Sequence, residues 1–254
     1  MNGQMFQIAT LVVAAKKAMQ TADQIQYTPL MGESSIEFRF LPEKWFIGTR
    51  SYTAKNVSEW YEGIRKNGLQ DIKLLCPWEV ENRQLLGFSN TTQSSILCFY
   101  ENGKVTYFVP NWKFNSAEKG CNVLYSEQEW SNPPAGKPRF QDNTDSFRQV
   151  LVDIQQFACQ IGSKIFAKVF GSAISVLDGE NENPDKKHAL ELPKQNQRLF
   201  EAASIADVFG GMNSWNDEPP IMAHEKGMSK EYEILSDELL KNIRLAILFA
   251  INEW

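Results

Sequence analysis

Histidine and cysteine are scarce in this chain of 254 residues, which contains two His and four Cys. The two histidines are His188 and His224, and neither has another His or a Cys at the spacing of a zinc site. The HExxH motif of zinc hydrolases is absent. The cysteines form no CxxC pair and are too few for a disulfide-dense secreted scaffold. The sequence therefore predicts no metal site.

Motifs for nucleotides and for activated nucleophiles are also absent. The chain has no GxxxxGK[ST] loop, no GxGxxG after a strand and no GxSxG elbow. The polar stretch that begins at Asp178 has Asn183 at the sixth position and Ala189 at the twelfth. An EF-hand requires Gly and Glu at these two positions. We therefore expect no cofactor.

The chain lacks an excess of basic charge and has no long apolar run. Its net charge of −5 argues against a nucleic-acid binder, which needs a basic footprint. The apolar run 8–15 is followed by two lysines, whereas a signal peptide carries its positive charge first. Charged and amide residues interrupt the apolar C-terminal segment, although a membrane span needs about 20 nearly uninterrupted apolar residues. These patterns predict no membrane span and a cytoplasmic location.

Residues 30–130 carry the signals of β-strands. Residues 36–40 alternate between apolar and polar side chains, as a half-buried strand does. The runs 95–100 and 104–109 flank Asn102-Gly103, which favours a hairpin with a type I′ turn. Pro110 is expected to end the second strand, because proline has no N–H for the ladder. Further strands are predicted over 45–50, 72–75 and 84–88.

Helical periodicity marks both ends of the chain and one stretch between strands. Met5, Ile8, Val12 and Ala15 fall on one helical face. A short helix is expected from a cap at Asn56 to Gly68, since Glu59 follows the cap by three residues. Longer helices are predicted over 147–169, 199–209 and 229–252, with Gly162 and Gly171 as positions where the first can bend or end.

A proline-rich segment, 131–141, separates the two patterns and is interpreted as a connector. It divides the chain into an N-terminal helix plus a β-rich region, 1–130, and a helical region, 142–254. We expect these parts to form one compact unit. The predicted fold class is α+β, with a mainly antiparallel sheet in the N-terminal half packed with a helical C-terminal half.

Charge divides along the chain with the same pattern. Residues 1–140 hold 15 Lys and Arg against 13 Asp and Glu, whereas residues 141–254 hold 11 against 18. The acidic helical half suits a basic partner. The alternative interpretation is that its helices carry Glu on solvated faces, as most exposed helices do.

The most distinctive segment is 208–220, in which two glycines follow a predicted helix. Short polar side chains surround one tryptophan there, and such side chains commonly hold a turn through backbone hydrogen bonds. One interpretation is a structural turn with its tryptophan in the core. The other is a rigid loop that presents an aromatic anchor and polar groups to a partner. The candidate binding residues are Asn213, Ser214, Trp215, Asn216 and Asp217.

The stretch Phe209–Asp217, FGGMNSWND, resembles a GGMGSxND signature of small bacterial domains, some of them near polymorphic-toxin immunity proteins. Asn213 stands where the signature has Gly, and Asn tolerates a left-handed backbone better than most residues. The resemblance covers nine of 254 residues. It implies a bacterial or phage-borne accessory protein and brings no catalytic residues.

Taken together, these patterns predict a non-catalytic, protein-binding inhibitor that is immunity-protein-like, with another protein such as a basic toxin as its partner. One alternative is a carboxylate-based hydrolase or transferase whose acid/base groups are Asp217, His224 and Glu225. A further alternative is a structural subunit of a defence or phage assembly. Unpaired apolar surface around Ile247, Phe249 and Trp254 would favour that last role.

Overall fold

The structure is a computed structural model that describes residues 1–44, 49–88, 90–181, 190–210 and 212–254. The chain forms two compact units. The sheet unit consists of residues 4–75 and 92–138, and the helical unit of residues 1–3, 76–91 and 139–254. A sheet lies in the N-terminal half and helices dominate the C-terminal half, which confirms the predicted α+β class.

The sheet unit is built on a six-stranded mixed sheet with the strand order β4-β1-β8-β7-β6-β5, while β2 and β3 pair with each other. β1 runs parallel to β8, and the other pairings are antiparallel, so the sheet is mainly antiparallel as predicted. The strands are β1 (Glu33–Arg39), β2 (Glu43–Lys44), β3 (Thr49–Arg50), β4 (Thr53–Ala54), β5 (Leu69–Leu75), β6 (Ser95–Tyr100), β7 (Val105–Asn115) and β8 (Gly120–Glu129).

Two helices complete the sheet unit, α1 (Gly3–Thr21) and α2 (Val57–Lys66). The predicted cap of α2 is confirmed, because the Asn56 side chain accepts a hydrogen bond from the Glu59 N–H at 2.9 Å. An aromatic stack lies in the core. The Phe38 ring lies 4.6 Å from that of Trp60 and 4.9 Å from that of Tyr125, measured between centroids. Such stacks bury large apolar areas and dominate core energetics.

A polar network links α1 to the sheet inside the same unit. The Gln7 amide donates to the Glu33 carboxylate at 2.7 Å and accepts from the Tyr125 hydroxyl at 2.8 Å. The Tyr27 hydroxyl donates to the same carboxylate. Two effects raise the pKa of Tyr27: burial, which is the larger, and the neighbouring Glu33 carboxylate. This phenol therefore remains a neutral donor.

Five α-helices are described in the helical unit, outside residues 89, 182–189 and 211, and among them α7 packs on α3, α5 and α6, and α4 packs on α3 and α5. They are α3 (Thr144–Ile161), α4 (Lys164–Asp178), α5 (Lys194–Ala206), α6 (Glu218–Glu225) and α7 (Ser229–Asn252). Gly162 separates α3 from α4 in a left-handed conformation with φ 88°, whereas Gly171 lies inside α4. The helix predicted over 147–169 is therefore two helices, since a glycine reaches positive φ at little cost.

Some strand predictions need correction. Residues 84–88 are predicted as a strand, but 84–87 belong to a short 3₁₀ helix over Arg83–Gly87 and Phe88 is its C-cap. The Asn82 side chain caps this helix at the Gln84 N–H. Pro110 does not end β7, which continues to Asn115. β6 pairs with β7 only up to Phe108, so at Pro110 the only neighbouring strand among those described is β8. A proline is tolerated there, because one side of β7 has no strand to receive an N–H.

The predicted hairpin is confirmed as β6–β7, but the predicted type I′ turn is wrong. Of the turn residues 101–103, only Gly103 has a positive φ, whereas a type I′ turn requires two such residues. In the strand predicted over 45–50, residues 45–48 lie outside the described residues and 49–50 form β3. One boundary between the units lies between Pro138 and Arg139, inside the segment interpreted as a connector.

Candidate functional site

The indole of Trp215 lies fully buried in the helical unit. Its ring stacks on Tyr232 at 5.6 Å and meets Phe166 and Phe170 edge-on, each at 5.2 Å between centroids. A side chain enclosed on three sides by aromatic rings is held by dispersion and by apolar burial. Trp215 therefore acts as an anchor within the core of its own unit.

Hydrogen bonds fix the same tryptophan in one orientation. Its indole N–H donates to the Ser236 hydroxyl at 2.8 Å, and its carbonyl accepts from the Tyr232 hydroxyl at 2.8 Å. Its backbone N–H donates to the Val208 carbonyl at 3.0 Å. Burial raises the pKa of Tyr232 to about 12, which keeps this phenol a neutral donor. The polar atoms of Trp215 thus bind groups of the helical unit, namely α7 and the backbone of Val208.

The polar neighbours of Trp215 mostly bind the backbone of the turn. Asp217 accepts from the Ser214 N–H at 3.2 Å and donates its own N–H to the Ser214 carbonyl at 3.2 Å. The Asn216 amide reaches the Arg83 carbonyl at 3.3 Å. Asn213 has φ 61° and so adopts the left-handed backbone conformation at the position where the GGMGSxND signature has Gly. Asn213 and Asp217 are the exposed members of this set.

The residues considered for acid/base chemistry are not brought together. Asp217 precedes the first turn of α6, whereas His224 and Glu225 lie in its last turn. At 1.5 Å per residue, the seven positions from Asp217 to His224 span about 10 Å along the axis. All three side chains are exposed, and His224 Nδ1 has a 3.4 Å contact with the Ser229 hydroxyl. His188 lies outside the described residues.

A thiol and a guanidinium lie buried elsewhere in the helical unit. Burial raises the pKa of the Cys76 thiol, and the neighbouring Arg244 guanidinium opposes that shift. Arg244 itself is almost fully buried in α7. A buried neutral thiol is a poor nucleophile and a poor metal ligand, since both roles need the thiolate. Among the described residues, no group of three or more His, Cys, Asp or Glu could hold a metal ion.

Charge separates the two units to the same extent as it separates the halves of the chain. The residue ranges of the helical unit contain 13 Lys and Arg against 20 Asp and Glu, and those of the sheet unit 13 against 11. Four acidic side chains on the first half of α7 are exposed. We call these side chains, Glu231, Glu233, Asp237 and Glu238, the acidic cluster of α7, in which Glu231 and Glu238 lie on one side of the helix and Glu233 and Asp237 lie on another.

No local sequence pattern indicates the role of Arg83, which joins the 3₁₀ helix to Glu233 and Asp237 of the acidic cluster. Its guanidinium forms ion pairs with Glu233, at 2.5 Å, and with Asp237. It also lies over the Tyr232 ring, 5.9 Å from the centroid. Because 150 residues or more separate these partners along the chain, local pattern could not indicate the contact.

The apolar C-terminal half of α7 is mostly buried. Ile247 is fully buried, Phe249 and Trp254 are partly buried, and the Trp254 indole donates to the Ile251 carbonyl at 3.0 Å. The exposed apolar surface that would favour a structural subunit is therefore not found at these three residues. No helix of the described chain is long and apolar enough to cross a membrane.

Comparisons with models of protein families, with curated proteins and with solved structures found no match to this chain.

Proposed function

We propose that this protein is a non-catalytic binding protein of the immunity type, and that its helical unit binds and occludes a basic protein partner. The observation that carries the proposal is the concentration of negative charge on one unit, where Glu231 and Glu238 of the acidic cluster of α7 are exposed on the same side of the helix. The FGGMNSWND resemblance supports the same role, because it points towards toxin-immunity neighbours.

The geometry of α7 favours binding over simple solvation of a helix. Glu231 and Glu238 are seven positions apart and so lie on the same face, with Ile234 between them. Ile234 is half exposed, and three of its four neighbours one turn away along the helix are acidic, the fourth being Lys230. Protein interfaces commonly combine apolar contacts with a polar rim, and complementary charge accelerates encounter and excludes wrong partners.

The test measures partner capture by the tagged protein at two salt concentrations. The bait is incubated with lysate of its native host at about 0.05 M and about 0.5 M NaCl, where screening lengths differ severalfold. We expect one stoichiometric basic protein at low salt, identified by mass spectrometry and largely lost at high salt. Its affinity for the purified bait is then measured by calorimetry.

A pair of charge-reversal variants makes the test specific. Glu231→Lys with Glu238→Lys changes the charge of the proposed surface by four, and we expect at least about a tenfold loss of affinity. Glu118→Lys with Glu129→Lys makes the same change at exposed positions of the sheet unit and is the matched control. Equal affinities for the two variants would contradict the proposal. The absence of any partner at either salt would favour the enzyme alternative.

A further inference from the structure

The connection between β5 and β6 is much longer than its ends require. β5 ends at Leu75 and β6 begins at Ser95, although the two strands are antiparallel neighbours in the sheet. Hairpins commonly need two to five residues, and longer connections in compact domains are usually functional or unstructured. This one is structured, because residues 76–91 belong to the helical unit and contain a 3₁₀ helix.

This connection exposes three large apolar side chains within eleven residues. Trp78 is 43% exposed, Leu85 is 49% exposed and Phe88 is 62% exposed. Single exposed apolar residues are ordinary, but grouped large ones mark interaction sites. We call residues 78–88 the apolar loop.

The apolar loop is held in place by side chains of its own unit. Arg83 binds Glu233 and Asp237 of α7, and its carbonyl accepts from Asn216. The Asn2 amide donates to the Leu86 carbonyl at 2.9 Å. A loop that is ordered before binding loses less conformational entropy when a partner docks. The exposed side chains are therefore presented on a fixed backbone.

The charges around the loop specify the occupant. Glu79 and Glu81 are exposed beside Trp78, and Arg83 is outnumbered by its two carboxylate partners. Four carboxylates against one guanidinium leave an acidic setting, which repels anionic membranes and nucleic acids. A segment of a protein that combines Lys or Arg with apolar side chains complements both features.

We infer that the apolar loop is a docking site for a basic, amphipathic segment of the partner protein. The inference rests on the proposed function, since it specifies where and how the basic partner is recognised. Apolar side chains of that segment contact Trp78, Leu85 and Phe88, while its cations meet Glu79 and Glu81. Aromatic anchors of this kind carry much of the energy of protein interfaces.

The test uses a peptide probe and the full-length protein. The probe is a fluorescein-labelled amphipathic peptide of Lys and Leu, with a counterpart that has Glu in place of Lys. Anisotropy titrations compare wild type with Leu85→Ser plus Phe88→Ser. Met31→Ser plus Phe114→Ser is the matched control, since both of these apolar side chains are exposed on the sheet unit. Thermal melting checks that each variant is folded.

We expect binding of the Lys peptide only, weakened at least about tenfold in the loop variant and unchanged in the control. Absence of binding to wild type, or equal loss in both variants, would overturn the inference. A peptide affinity that falls with Glu231→Lys plus Glu238→Lys but not with the loop variant would also overturn it, while leaving the proposed function intact. Self-association of the loop through a second copy would show as a dimer by light scattering and would likewise overturn it.

Discussion

Replacement of Trp215 by alanine should destabilise the helical unit strongly. The side chain is fully buried among Tyr232 of α7 and Phe166 and Phe170 of α4, and these two packed helices cannot both collapse into the space left behind. Substitutions of buried Trp by Ala commonly cost about 3–5 kcal/mol, because apolar burial is lost and a cavity remains. The Ser236 hydroxyl, also buried, would lose its indole partner at an added cost of about 1–3 kcal/mol if no water replaced it.

The measurement is thermal and urea unfolding followed by circular dichroism. We expect a loss of about 4 kcal/mol or more in the free energy of unfolding, and a melting temperature lowered by roughly 10 °C for a protein of this size. Trp215→Phe keeps most of the ring but leaves Ser236 without its donor, so about 1–2 kcal/mol should be lost. Asp217→Ala, at an exposed neighbouring position, should cost less than about 1 kcal/mol.

A Trp215→Ala protein that unfolds like wild type would refute this reasoning, because it would mean that the indole contributes little to the core. The comparison also separates the two interpretations of the 208–220 segment. If Trp215→Phe lowers stability while the folded protein keeps its partner affinity, the residue is a core anchor. A variant that stays folded and loses only affinity would instead indicate direct contact with a partner.

Two further changes test local features of the helical unit. Arg148 hydrogen-bonds Asp178 and thereby holds the pKa of that carboxyl below its ordinary value near 3.8. The resulting stability is present above that value and is lost as pH falls through the lower pKa of the folded state. In Asp178→Asn, the free energy of unfolding should therefore fall less steeply as the pH is lowered below about 4. An unchanged dependence on acidic pH would contradict this. Gly162→Ala forces alanine to φ 88° and should cost about 1 kcal/mol by urea unfolding, whereas no loss would show that the α3–α4 junction relaxes.

Elements with strong local signals were predicted well. The bounds of α7 match the helix predicted over 229–252, because its apolar stripe keeps helical spacing over the whole length. The β6–β7 hairpin is likewise confirmed, since Asn102-Gly103 flanked by two apolar runs is a strong short-range signal. In both cases the information lies within a short window of sequence.

Elements that depend on distant contacts were missed. Helix α6 is absent from the predicted elements, although Pro219 and Pro220 lie in its first turn, where a missing N–H carries no penalty. The parallel pairing of β1 with β8 joins strands that are far apart in the chain. Residues 76–91 lie between two strands in the sequence but belong to the helical unit. Arg83 and its two partners on α7 hold them there, and no local sequence pattern indicates these contacts.

A short stretch of α7 supports both the turn and the apolar loop. Tyr232 and Ser236 are four positions apart and both bind Trp215. Glu233 and Asp237 are offset from them by one position, so they lie about 100° further around the helix and bind Arg83. Residues 232–237, less than two turns of α7, therefore bind Trp215 on one face of the helix and Arg83 of the 3₁₀ helix on the adjacent face.

This arrangement gives the FGGMNSWND segment a role that its composition alone did not indicate. The Asn216 amide binds the Arg83 carbonyl, and the Arg83 guanidinium lies over the ring that stacks on Trp215. The segment thus supports the apolar loop from within the helical unit. In the proposed interaction its buried tryptophan orders the loop, and the loop supplies the exposed apolar contacts. Disruption of the turn should then weaken partner binding indirectly, by releasing the loop that carries Leu85 and Phe88.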